Sequence, residues 1–194
     1  VDGIVGLSLQ ALSLAPRFSF LDNLFNDARN VLPQFGLMIG SEKGFLYFGG
    51  HPIPASAIYW FPVRSPEEGF WQVPIHEVRV GGVVVEECSQ NCTAIVDTSA
   101  HRLGVQDLKI HDALTPQRVD GICRGPNLEF DLGGLVVSLG ADDYTDASCR
   151  ADVGRLDLTH PGVVSFGDTV LRHYYVAFDW KNQAIGFAPV SMTV

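Results

Sequence analysis

The sequence predicts an all-β fold on three observations. Short apolar or alternating runs recur along the whole chain, turn formers such as Gly49-Gly50, Gly81-Gly82, Gly133-Gly134 and Lys181-Asn182 separate them, and helical periodicity is confined to a few stretches. In chain order, the first periodic stretch is a helix over residues 18–31, where Phe18, Leu21, Leu24, Phe25 and Ala28 fall at i, i+3, i+4 spacing. Strands follow at residues 35–39 and 45–48, with Gly40 to Gly44 as the hairpin turn between them, and at 58–63 and 70–73. Further strands are predicted at 83–85, 93–96, 128–132, 163–166 and 174–178. A second short helix is expected after Ser99, through Leu103 and Leu108, and a third near Leu171. The polar, turn-rich segment Arg64-Ser65-Pro66-Glu67-Glu68-Gly69 divides the chain into residues 1–64 and 65–194.

The chain has 194 residues, enough for one large domain or two lobes. Its 46% hydrophobic and 18% charged content, against roughly 25% charged for an average soluble chain, describes a sequence that folds. Thirteen basic against 22 acidic residues leave a net charge of −9, with no Lys/Arg cluster to neutralise a phosphate backbone, so nucleic acid is not expected as a partner. No run approaches the ~20 apolar residues of a membrane span. Val1 opens the sequence without Met, a basic region or an apolar leader, which reads as a mature chain or a fragment. The four cysteines form two sequence-local pairs, Cys88 with Cys92 and Cys123 with Cys149, suited to disulfides in an oxidising compartment. Zinc ligation is the alternative reading, weakened because Cys88-x3-Cys92 has no second close pair. Asn91-Cys92-Thr93 is a glycosylation sequon at Asn91, which fits a secretory protein.

Ala94-Ile95-Val96-Asp97-Thr98-Ser99-Ala100 is the most informative stretch. Three apolar strand formers followed by an acid and small hydroxyl residues put a carboxylate on a tight turn at the end of a strand. Desolvation of a carboxylate must be offset by hydrogen bonds or justified by a task, so Asp97 is a candidate catalytic residue. The competing reading is an Asp that ends the strand and caps a following helix through the N–H of Ala100 or His101. Six histidines, at positions 51, 76, 101, 111, 160 and 173, include no H-E-x-x-H, and neither a metal nor a cofactor is implied. Gly40-Ser41-Glu42-Lys43-Gly44 lacks the strand-to-helix context of a nucleophile elbow. Trp60, Phe61, Phe70 and Trp71 are read as alternating strand residues that pack a core.

Several motifs together resemble those of the pepsin-like aspartic peptidases. Val1-Asp2-Gly3-Ile4-Val5-Gly6-Leu7 is similar to the family's D-G-I-L-G-L turn, and Cys88 to Thr98 resembles the short disulfide loop leading into its second catalytic aspartate. Phe70-Trp71 with Val80-Gly81-Gly82 is similar to a family hairpin. Ser165-Phe166-Gly167-Asp168, the run from Leu171 to Asp179 and Ile185-Gly186-Phe187-Ala188 resemble its C-terminal ending, and Cys123 and Cys149 fall at its third disulfide. The likeness runs in register from Val1 to about residue 190.

This resemblance implies a pepsin-like fold, with residues 1–64 as the back of the N-terminal lobe and the interlobe sheet, and residues 65–194 as the C-terminal lobe. It implies an aspartic endopeptidase chain with Asp97 as the second dyad aspartate, supported by Thr98, Ser99, Ala100, Gly167 and Asp168. The expected partners are an N-terminal lobe or light chain carrying the first aspartate, and a peptide substrate. The expected location is the secretory pathway, extracellular or vacuolar/lysosomal. Two departures stand out: no Asp-Thr/Ser-Gly occurs in these residues, and Asp97-Thr98 continues as Ser99-Ala100 where the family has Gly and then Thr or Ser. Two carboxylates about 3 Å apart divide into an acid and a base, so one alone does not make the site. The alternative function is a non-catalytic pepsin-fold pseudoenzyme, acting as a structural or binding module.

Overall fold

The structure, a computed structural model, describes residues 3–27, 30–40, 43–88, 92–106, 108–156 and 162–190. Its elements in chain order are α1 (Phe20–Asp27), β1 (Leu32–Met38), β2 (Phe45–Gly49), β3 (Tyr59–Pro62), β4 (Gln72–Pro74), β5 (Glu77–Val80), β6 (Val83–Glu87), β7 (Thr93–Val96) and β8 (Gly104–Val105). There follow α2 (Leu108–Ala113), β9 (Gln117–Val119), β10 (Ile122–Arg124), β11 (Leu128–Asp131), β12 (Val136–Leu139), α3 (Ala141–Tyr144), β13 (Gly154–Arg155), β14 (Val163–Phe166), α4 (Asp168–Leu171), β15 (Tyr174–Asp179) and β16 (Ala184–Pro189). The protein is all-β, as predicted.

The chain forms two compact units, residues 1–72 with 174–194, and residues 73–173. These limits differ from the 64/65 division drawn on composition. Arg64 donates its amide to the Gln72 carbonyl, and the C-terminal strands join β1 and β3 in one sheet.

In the first unit an antiparallel sheet runs β2-β1-β15-β16-β3. Strand β15 is buried at all six positions, and its first five residues, Tyr174 to Phe178, are a continuous apolar and aromatic run rather than an alternating one. Phe35 and Phe178 face each other across β1 and β15 and stack with ring centroids 4.4 Å apart, and Trp71 meets Phe178 edge-on at 5.1 Å. Phe61 and Trp71 are buried, whereas Trp60 and Phe70 are each more than a third exposed, so the core reading holds for the first pair. Helix α1 buries Leu21 and Phe25. It begins at Phe20 rather than 18 because Ser19 caps it: the Asp22 amide donates to the Ser19 Oγ (3.3 Å), whose hydroxyl in turn donates to the Asp22 carboxylate. Residues 28 and 29, in the expected helix, lie outside the described residues. Met38 pairs with Phe45 on either side of the expected hairpin turn, of which residues 41 and 42 lie outside the described residues.

The second unit holds a sheet ordered β12-β11-β5-β6 and, with β4 at its boundary, a sheet ordered β13-β8-β14-β7-β4. Hairpin β5–β6 turns on Gly81 and Gly82 at φ 60° and 79°, the pair of positive values that a two-residue turn of the favoured twist demands. Phe130 of β11 and Phe166 of β14, both fully buried, meet edge to face at 5.2 Å. The helix expected after Ser99 is absent from that position. Leu103 is buried and leads straight into β8, and α2 starts only at Leu108. The third helix ends at Leu171 instead of starting there, because the Gly167 carbonyl already accepts from the amides of Val170 and Leu171.

Candidate active site around Asp97

Strand β14 lies between β7 and β8, although β7 and β8 follow each other in the sequence. It runs parallel to β7, with Phe166 opposite Val96, and antiparallel to β8, with Ser165 opposite Gly104. Residues 97–103 must therefore cross over the end of β14. The Asp97 amide donates to the Phe166 carbonyl (3.1 Å), the Ala100 amide to the Asp97 carbonyl (3.3 Å), and the Asp168 amide to the Ala100 carbonyl (2.8 Å). Gly167 lies buried under this crossing. A Cβ there would collide with the carbonyl oxygens of Ala100 and Arg102, and its φ of −84° shows that room, not a special backbone angle, requires the glycine.

The Asp97 side chain is only partly buried. Its Oδ1 accepts two hydrogen bonds from Ser99, one from the amide (2.9 Å) and one from the hydroxyl (2.6 Å). Among the described residues, no donor is placed on Oδ2. The carboxylate thus turns back on its own loop and does not cap a helix through Ala100 or His101; His101 is exposed in a bend. The φ of Ser99 lies outside the left-handed region, so the backbone of the turn does not require a glycine at this position. Thr98 is exposed, Ala100 contributes its carbonyl, and Asp168 contributes its amide as the first residue of α4.

Cys88 and Cys92 are disulfide-bonded (Cα–Cα 5.2 Å) immediately before β7, and Cys123 and Cys149 are bonded across β10 and the loop after α3 (Cα–Cα 5.4 Å). No cysteine is free, which excludes the zinc reading. Asn91, the sequon residue, and His160 lie outside the described residues. Val1 and Asp2 of the first motif do so as well.

The eukaryotic aspartyl protease family model matches residues 1–190. The chain belongs to this family. Among its relatives, gastricsin of Callithrix jacchus is 30% identical over 96% of this chain and 54% of its own length. Pepsin A of Gallus gallus is 29% identical over 98% of this chain and 56% of its own, and cathepsin E of Aquarana catesbeiana is 27% identical over 97% and 53%. This aspartyl protease chain spans about half the length of the curated relatives it matches.

The sequence marks Asp97, Gly167 and Asp168 here, with Thr98, Ser99 and Ala100 beside them; the bond from the Ser99 hydroxyl back to Asp97 is what the structure adds. The signal for that bond lies in the spacing: Asp followed two residues later by Ser lets the two side chains and the intervening backbone bond locally.

Proposed function

We propose that this chain is the C-terminal part of a pepsin-like aspartic endopeptidase, in which Asp97 is the second aspartate of the catalytic pair. The observation that carries this reading is the Asp97 carboxylate itself, fixed through Oδ1 on a turn locked to β14 while Oδ2 is left without a donor among the described residues. A second carboxylate, from an N-terminal lobe or light chain beyond these 194 residues, shares a proton with it. One carboxylate then takes a proton from water as the water attacks a peptide carbonyl, and the other gives a proton to the developing tetrahedral oxygen. Thr98, Ser99, Ala100, Gly167 and Asp168 hold Asp97 in place, and no cofactor takes part. Residues 1–64 belong to the back of the N-terminal lobe and the interlobe sheet, to which 65–194 contributes β15 and β16, and the rest of 65–194 belongs to the C-terminal lobe. Strand β2 supports a partner segment: it is outermost in its sheet among the described residues, and its Phe45 and Leu46 are 46% and 50% exposed. Two disulfides support passage through the secretory pathway, to the exterior or to a vacuole or lysosome, with Asn91 as a glycosylation site.

One observation favours the second reading, a pseudoenzyme that binds without cleaving: residue 100 is alanine and has no hydroxyl to offer Asp97. A peptide inhibitor carrying a transition-state-mimicking hydroxyl separates the two readings, because that hydroxyl must sit between two carboxylates. The assembled protein is expected to bind it at acid pH and to lose it in Asp97→Asn. Absence of binding by the unaltered assembly would favour the pseudoenzyme.

A further inference from the structure

We infer that Ser99 is the positioning residue of the Asp97 carboxylate, its hydroxyl supplying the hydrogen bond that Ala100 cannot. The inference rests on the proposed role of Asp97. The Ser99 hydroxyl oxygen is 2.6 Å from Oδ1, within the short range of O–H donors to a charged oxygen, and the Ser99 amide reaches the same oxygen at 2.9 Å. Two donors on one oxygen fix the torsion of the carboxyl group. They also engage Oδ1 as an acceptor and leave Oδ2, the oxygen with no donor among the described residues, as the one open to a further partner. The backbone accommodates a side chain here, since Ser99 lies outside the left-handed region and the turn is also held by the bonds from the Ala100 and Asp168 amides. A substitution at residue 99 therefore removes the hydroxyl without releasing the crossing.

The experiment measures kcat and KM for cleavage of an unfolded protein at acid pH by the assembled protein and by Ser99→Ala, Ser99→Gly, Ser99→Thr and the double variant Ser99→Gly/Ala100→Thr, alongside thermal unfolding. Loss of a hydrogen bond to a charged group lowers kcat by about tenfold to a hundredfold in Ser99→Ala and Ser99→Gly, with KM changed less than about twofold. Ser99→Thr restores kcat by returning the hydroxyl, and the double variant restores it by moving the donor to residue 100. Wild-type kcat in Ser99→Ala, or a gain in Ser99→Gly, overturns the inference while the role of Asp97 stands. Activity falling only in step with the melting temperature, without rescue by threonine, overturns it as well. An inactive wild type overturns both this inference and the reading beneath it.

Discussion

The Asp168 amide donates to the Ala100 carbonyl over 2.8 Å, tying the start of α4 to the loop that carries Asp97. Gly167 sits immediately before that bond, with no room for a Cβ against the Ala100 and Arg102 carbonyls. Backbone cannot yield as a flexible side chain does, so Gly167→Ala is expected to destabilise by about 1–3 kcal/mol and to displace the Asp97 turn. Gly154→Ala is the control: a Cβ there meets only the Leu103 carbonyl at 3.7 Å. Chemical denaturation of the two variants checks this, and equal midpoints would contradict it.

His51 and Tyr175 set a pH dependence in the first unit. The Tyr175 hydroxyl lies 2.8 Å from His51 Nδ1, while His51 Nε2 is buried without a partner. Burial lowers the His51 pKa from 6.5, and the Asp179 charge opposes this only in part. Below 6.5 the unfolded chain takes up a proton that the folded chain refuses, so stability falls as pH falls. Denaturation midpoints between pH 7 and 5 should decline less steeply in His51→Gln than in the unaltered protein. Parallel declines would remove His51 from the account.

The Cys123–Cys149 disulfide spans 26 residues of sequence. On the chain-entropy model a loop of that length contributes about 3–4 kcal/mol. Replacing both cysteines by serine should lower stability by that order in equilibrium unfolding. A loss under about 1 kcal/mol would mean that the reduced, unfolded chain is already restrained.

The fold is readable in the sequence where burial is complete on both faces. Val163 to Phe166 and Tyr174 to Phe178 are buried throughout, and their unbroken apolar runs announce β14 and β15. Strands β8 and β13 have two residues each and α3 has four, too few to show any period, and their partners are distant in sequence. At the site, Asp97 is visible because a carboxylate after Ala94-Ile95-Val96 contradicts its surroundings. The need for Gly167 is not visible locally, because it arises from a crossing by residues far away in the chain. The bond from the Ser99 hydroxyl to Asp97 is hidden for a related reason: a side chain that crowds a turn and one that bonds back into it have the same sequence until the backbone angles are known.

The initial rate of cleavage of an unfolded protein at acid pH, measured on the assembled protein and on Asp97→Asn, tests the central claim that Asp97 is a working half of an aspartic pair. An amide cannot exchange the shared proton, so the predicted result is measurable cleavage by the unaltered protein and a loss of at least about a thousandfold in Asp97→Asn, with folding intact. Equal cleavage by the two proteins, or none by either, would contradict it.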